Sequence, residues 1–237
     1  MKKYKFTGET KTVHTPDGDI KLNRIQAVVG FATVKAGEIG GWIETEENLA
    51  HDGYAWVLND AQISGNAQIS GGAQVSGYAQ VSDYVRVSGN AQISGSAQVS
   101  GNAQVSDNAQ VSGNAWVSGG VQISGSARVS GSARVSGDAQ VSGNVWVSDN
   151  AWVSDGARVS ERHHVLLTGP IGSRNEFTTF YRGKDGQIMV TVTYGYFNGA
   201  IDEFAKQVVK THGENKHAQV YLAAVELAKL QINDSNL

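Results

Sequence analysis

Along the middle of the chain an aliphatic residue recurs at every sixth position, from Val57 through Ile63, Ile69 and Val75 to Val153 and Val159, without one insertion or deletion. Two residues before each stands a small residue, usually Ala (Ala61, Ala67, Ala73) and occasionally Val (Val85, Val121, Val145). Residues i and i−2 share one side of a strand, so these two point inward and the residue between them points out. Two positions after each aliphatic residue from Ile63 to Val153 comes Gly or Asp, such as Gly65, Gly71, Asp83 or Asp107. Those types tolerate the backbone angles of a tight corner. Each hexad therefore predicts a short strand and a turn, and eighteen of them predict a solenoid.

The flanks follow other patterns. Residues 1–51 read as an N-terminal β-rich cap: "KYKFTGETKTV" and "IKLNRIQAVVGFATVKAG" are strand-like and lead into "GGWIETEENLAHDG". A cap is needed physically, because an open coil end presents unpaired edges and bare aliphatic core. Residues 52–165 carry the repeat. Residues 166–237 read as a small C-terminal α+β domain, with strands "VLLTGPIGSRNEFTTFYR" and "IMVTVTYGYFNGA" flanking the hairpin signal "KDGQ". Two amphipathic helices follow. The first buries Ile201, Phe204, Ala205 and Val208 and stops at Gly213; the second buries Ala218, Tyr221, Leu222 and Val225.

The hexads resemble the hexapeptide-repeat family, whose pattern is aliphatic-x-x-x-small-x. That resemblance implies a left-handed parallel β-helix with three hexads per coil, so about six coils and a mainly β fold. Three faces then sort the outward residues into three ladders. The first reads Trp56, Gln74, Gln92, Gln110, Arg128, Trp146, with His164 next if a further rung forms. The second reads Gln62, Gln80, Gln98, Trp116, Arg134, Trp152, and the third Gln68, Arg86, Gln104, Gln122, Gln140, Arg158. Gln ladders can hydrogen-bond along a prism without any ligand. Trp116, Arg128, Arg134, Trp146 and Trp152 are different: large aromatics beside cations are typical of interfaces. Three uses are open to them, a homo-oligomer seam (the resemblance implies a trimer), a partner surface, or packing beneath the C-terminal segment.

The phrase "GGWIETEENLAHDG" resembles the start of hexapeptide-repeat proteins of bacterial and prophage type. The tail, through "GPIGSRNEFTTFYRGKDGQI" and "DEFAKQVVKTHGENKHAQVYLAAVELAKL", resembles a small phage-type domain of unknown function. Its relatives place Ser or Thr where this chain has Ala200, so the helix start lacks a capping hydroxyl.

Composition narrows the chemistry. The chain has 237 residues, a formal charge of −3 and a pI near 6.1, which offers no basic field to bulk nucleic acid. Cys is absent, which excludes disulfides, thiolate metal sites and a Cys nucleophile. The start "MKKYKFTGETK" has no apolar run behind its basic residues and no transmembrane-length stretch follows, so a cytoplasmic protein is expected, in a host cell if phage-encoded. Family enzymes, acyltransferases and γ-type carbonic anhydrases, need His as base or zinc ligand. From Asp52 to Arg162 there is no His, Cys or Lys and no loop insertion. His51 is left as the acyltransferase-like candidate, without an evident second member. Glu44, Glu46 and Glu47 read as a solvated turn.

His163 and His164, adjacent on a strand, would point apart and make poor joint metal ligands, so no metal and no cofactor is expected. The remaining polar constellation is Ser173, Arg174, Asn175, Thr178 and Thr179 beside Gly169 and Gly172, where exposed N–H groups and an Arg suit phosphate oxygens. Its spacing matches no phosphate-loop fingerprint. A second cluster, His212, Asn215, Lys216 and His217, lies between the helices. The reading is a non-enzymatic oligomeric phage- or prophage-type binding protein. It would act as a counter-defence factor against a host immune protein or a nucleotide signal. The alternatives are an acyltransferase-like enzyme and a structural virion or adhesin component.

Overall fold

The computed structural model describes residues 2–16, 18–193 and 197–232. The strand expected across 194–196 and the chain end 233–237 lie outside the described residues. The fold is mainly β: a parallel β-solenoid of about seven turns, a long hairpin at its start, and a small sheet with two helices at its end.

Each hexad forms a strand of two residues, from β4 (Trp56–Val57) to β21 (Arg158–Val159), and each as far as β18 (Gln140–Val141) pairs in parallel with the strand eighteen residues on. Three hexads per coil follow, and the three ladders fall on three sheets in the expected order. The inward aliphatic and small residues are fully buried in one continuous core. Each rung also donates two N–H groups to the next coil, as Gln62 does to Ala79 and Ser64 to Val81 at 2.9 and 3.0 Å. The thin core is thus tied by evenly spaced backbone bonds.

The corners explain the Gly and Asp. Gly89 has φ +64°, and a Cβ there would stand 2.6 Å from the backbone nitrogen of Asp107 in the next coil. Asp83 adopts φ 64° instead and uses its side chain: one carboxylate oxygen accepts the Gly101 N–H at 2.8 Å. Asp107 does the same for Gly125 at 2.9 Å. Among the described residues the Gln side chains form no Gln–Gln bond and stand mostly exposed; the ladder contact that forms is Arg158 donating to Gln140.

The solenoid begins earlier than the uninterrupted hexads. Strand β3 (Ile39–Ile43) pairs Trp42–Ile43 with Gln62–Ile63, and Leu49 bridges Ile69, both twenty residues on rather than eighteen. From Val57 the offset is eighteen. Two extra residues therefore sit in the corner between Leu49 and Trp56, and this break conceals one further coil. Asn48, fully buried, stitches that coil to the next. Its Oδ1 accepts the Glu44 and Thr45 N–H groups at 3.1 and 2.9 Å, and its Nδ2 donates to Gly65 and Ala67 carbonyls at 2.9 Å.

Strands β1 (Tyr4–Thr15) and β2 (Gly18–Ala27) form an antiparallel hairpin that extends one solenoid face into a nine-stranded sheet. The hairpin and the following loop close the first coil. Phe31 and Tyr4 pack on Trp56, which is buried although it holds an outward ladder position. Lys3, also buried, donates to the Ala55 carbonyl at 2.8 Å and lies 5.1 Å over the Phe31 ring. Burial lowers its pKa to about 8.

The other end closes differently. The expected further rung does not form: Arg162–His164 make a 3₁₀ turn, and the chain enters the antiparallel sheet β22 (Val165–Ile171), β23 (Glu176–Arg182), β24 (Ile188–Val192) and β25 (Phe197–Ala200). One side of this sheet, through Tyr181, Leu167 and Met189, joins the solenoid core. The other side, through Phe180, Ile188, Val190 and Val192, packs on α1 (Ile201–His212) and α2 (Lys216–Ile232). The α+β unit is the lid of the solenoid. Trp152 N–H donates to Thr179 Oγ1 at 3.0 Å, and Ser154, Tyr181 and Thr191 hydroxyls run in a chain at 3.1 and 3.2 Å. Both helices bury the expected faces; α1 starts at Ala200 with no side-chain cap and ends at Gly213, whose N–H reaches Val209.

Candidate functional site

The two polar clusters singled out in the tail converge in part. Ser173, Arg174, Gln207, Thr211, His212 and Tyr221 line the polar wall of a shallow cavity of about 160 Å³, floored by Val192, Phe197, Phe204 and Val208. Ser173 Oγ lies 3.4 Å from His212 Nε2, and the His212 ring stacks on Tyr221 at 5.9 Å. Burial raises the Tyr221 pKa, so its hydroxyl keeps its proton and can donate. No carboxylate lines this cavity among the described residues, and Arg174 supplies a permanent cation.

The other members of those clusters go elsewhere. Thr178 and Thr179 are fully buried within β23, Thr179 facing the solenoid, so neither can meet a ligand. Asn175 holds a turn at φ 55°. Asn215 caps α2, its Oδ1 accepting the His217 and Ala218 N–H groups at 2.9 and 3.1 Å, and Lys216 is exposed at the start of that helix. Nor do the loop glycines serve to present N–H groups. A Cβ on Gly172 would stand 1.9 Å from Tyr221 Cζ, and one on Gly169 2.8 Å from the Glu176 carbonyl oxygen. They are sites of close packing, which a residue string cannot distinguish from a phosphate cradle.

On the prism, the Trp and Arg ladders form stacks. Arg134 sits between Trp116 and Trp152, 5.2 and 5.6 Å from their centroids. Trp146 lies between Arg128 and Arg162 at 5.2 and 4.9 Å, Arg162 taking the place expected for His164. Such contacts contribute about 0.5–1 kcal/mol each at exposed sites. Trp116 and Trp146 still stand 46% and 53% exposed, on two different faces. Trp152 is partly covered by the lid. Trp42 belongs to the same series and was concealed by the corner insertion: Lys11 and Arg24 lie 4.4 and 4.8 Å from its ring.

The His pair departs from the strand expectation because it sits in the 3₁₀ turn. Ligand atoms of Glu161, His163 and His164 fall within 4.8 Å of one another, the spacing of a metal cluster. Yet Arg182 lies 3.0 Å from His164 Nε2, and Ser160 N–H and Oγ face Nδ1 at 3.2 and 3.4 Å. A guanidinium on one ring nitrogen opposes a divalent cation there, and the arrangement fastens the last coil to β23. Burial, then Arg182, lowers the His164 pKa.

His51 stacks on Tyr4 at 4.4 Å, accepts the Lys3 N–H through Nδ1 at 3.3 Å, and has its Nε2 buried 3.8 Å from Glu46. Glu46 is held below the usual carboxylate range by the Lys2 ammonium that bonds it. Glu44 accepts the Gly65 N–H at 2.7 Å, a second tie between coils.

Five stretches, residues 61–77, 97–119, 109–125, 121–137 and 139–155, match the family model described as the YdcK beta solenoid repeat. The middle of the chain is similar to that repeat. No curated protein matches the chain. Among the described residues no helix is long and apolar enough to cross a membrane.

Proposed function

We propose that the protein is a non-enzymatic binding protein whose solenoid is a rigid spacer and whose C-terminal lid carries the ligand site at Ser173, Arg174, His212 and Tyr221. The convergence of the two polar clusters on one cavity carries this reading. The prism supports it from the other side, since its outward ladders hold Gln, Trp and Arg and its corners Gly, Asn, Ser and a few Asp or Tyr. The buried Nε2 of His51 gives no support to the acyltransferase alternative.

The ligand class is a phosphorylated small molecule, with a nucleotide signal as the narrower case. A charge-assisted bond from Arg174 is worth about 1.5–3 kcal/mol. The carbonyl end of α1 opposes an anion by only about 0.3–1 kcal/mol, so Arg174 prevails. Calorimetry with pyrophosphate and a panel of linear and cyclic nucleotides tests this. Saturable binding lost in Arg174→Gln supports the site; no binding by any phosphorylated probe removes it.

The exposed Trp116 and Trp146 are the proposed seam of a homo-oligomer, a trimer by the sequence resemblance. Light scattering on Trp116→Gln and Trp146→Gln, which restore the common ladder residue, separates the uses. Dissociation assigns the indoles to assembly, and an unchanged oligomer or a monomeric wild type overturns it. The prophage-type origin, cytoplasmic setting and counter-defence role rest on the sequence resemblance and composition. Rescue of phage growth by the expressed protein in a defended host tests them, and no rescue removes the counter-defence role.

A further inference from the structure

A second cavity, of about 300 Å³, opens where the Trp116–Arg134–Trp152 stack meets the lid. Its lining is Trp152, Arg134, Ser132 and Asn150 from the prism and Glu176, Phe177 and Thr193 from the small sheet. The volume lies at the lower bound of small-molecule sites, about 300–1,000 Å³. It shares no residue with the cavity around Arg174.

The chemistry of the lining selects the ligand. Arg134 and Glu176 bring one cation and one carboxylate to the same cavity, so an anion gains nothing net there. Glu176 Oε2 accepts the Thr193 hydroxyl at 2.9 Å, which orients the carboxylate. Asn150 and Ser132 offer both donors and acceptors. Trp152 adds an aromatic surface, and Arg134, held between two indoles, is preorganised and loses little freedom on binding. An aromatic platform ringed by balanced donors and acceptors suits a neutral ring that is apolar on its C–H face and hydroxylated at its rim.

We infer that this junction cavity is a carbohydrate site: Trp152 stacks on one pyranose ring, and Glu176, Arg134 and Asn150 bond its hydroxyls. The site is composite, complete only when the lid is seated on the last coil. Its ladder positions also allow clean tests, because Gln is the common residue there. Trp152→Gln and Arg134→Gln return the ladder to its consensus, and the Val153 and Val135 core beneath is untouched.

The full-length protein is screened against an array of neutral hexose, N-acetylhexosamine and deoxyhexose oligosaccharides, with sialylated and sulfated glycans as an acidic arm. Hits are titrated by calorimetry. Binding of a neutral glycan is expected, weakened about tenfold or more by Trp152→Gln, each tenfold being about 1.4 kcal/mol. Glu176→Gln should weaken it to a similar extent, about tenfold, by removing the charged acceptor. Excess pyrophosphate should not displace the glycan, which separates this site from the phosphate site. An array without a saturable hit, binding confined to acidic glycans, or full affinity in folded Trp152→Gln each overturns the assignment.

Discussion

Replacing Asn48 tests whether the first coil is held by a buried side chain. In Asn48→Ala, three backbone groups lose their partner at once, the Thr45 N–H and the carbonyls of Gly65 and Ala67, while the Glu44 N–H keeps the Ile63 carbonyl at 3.0 Å. Each unsatisfied buried group costs about 1–3 kcal/mol. Water entering the vacated space recovers part of that, so a net loss of about 3 kcal/mol is expected. Asn48→Asp sharpens the test. One carboxylate oxygen keeps the two N–H groups, while the other faces two carbonyl oxygens that Nδ2 approached at 2.9 Å. That geometry raises the folded carboxyl pKa above its unfolded value, so the folded state holds the extra proton. Stability is then present below the unfolded pKa, near 3.9, and declines as pH rises through the folded value. Urea denaturation followed by circular dichroism, at pH 4.5 and 7.5, reads the difference. Hydrogen exchange across residues 42–70 locates it, since a solenoid can fray at one end. A loss below about 0.5 kcal/mol in Asn48→Ala would refute the stitch, being within ordinary surface effects. Equal losses for Asn48→Asp at both pH values would refute the carbonyl argument.

Lys3 makes stability rise with pH. Its folded pKa of about 8 lies below the unfolded value near 10.4, so the unfolded state binds more protons between the two. On the order of 3 kcal/mol is recovered as pH passes from 8 to 10.4, and Lys3→Met should flatten that slope in urea titrations. His164, lowered by burial and Arg182, should loosen the lid as pH falls below about 6.5, the unfolded value, and His164→Gln should abolish the trend in proteolysis of residues 165–232. Gly172→Ala should cost about 2–4 kcal/mol, because its Cβ meets the Tyr221 ring and φ is +72°; a melting temperature equal to wild type would contradict that packing.

The fold was legible where residue pattern and backbone geometry have the same period. Val57 to Val159 face inward because every sixth residue must, and the ladders follow from threefold coiling. Trp42, Ile43 and Leu49 obey the same geometry, but two extra residues before Trp56 shift them out of phase. The His163–His164 expectation assumed a strand, and a 3₁₀ turn brings the rings together. Thr178 and Thr179 look like ligand residues in a string, yet one hydroxyl faces the helices and the other caps the Trp152 N–H. The role of the tail as a lid required knowing which side of β23 finds the open coil, and alternation alone does not choose. Ser173, Arg174 and His212 were legible as polar clusters; their meeting depends on how α1 lies across the sheet.

Interior rungs of this prism are interchangeable: a coil displaced by eighteen residues meets the same Ala, Val and Gly. Nothing within the hexads prevents a slipped threading, so register must be imposed from outside. The corner before Trp56, with its two extra residues, and Trp56 beneath Phe31 and Tyr4 cannot be satisfied one coil later. At the far end the stop is His164, which meets Arg182 at 3.0 Å where the hexads have ended and has no counterpart one coil earlier. The ends act as stops on a ruler. Between them, whole coils can be gained or lost, each changing the separation of the two caps by about 4.8 Å.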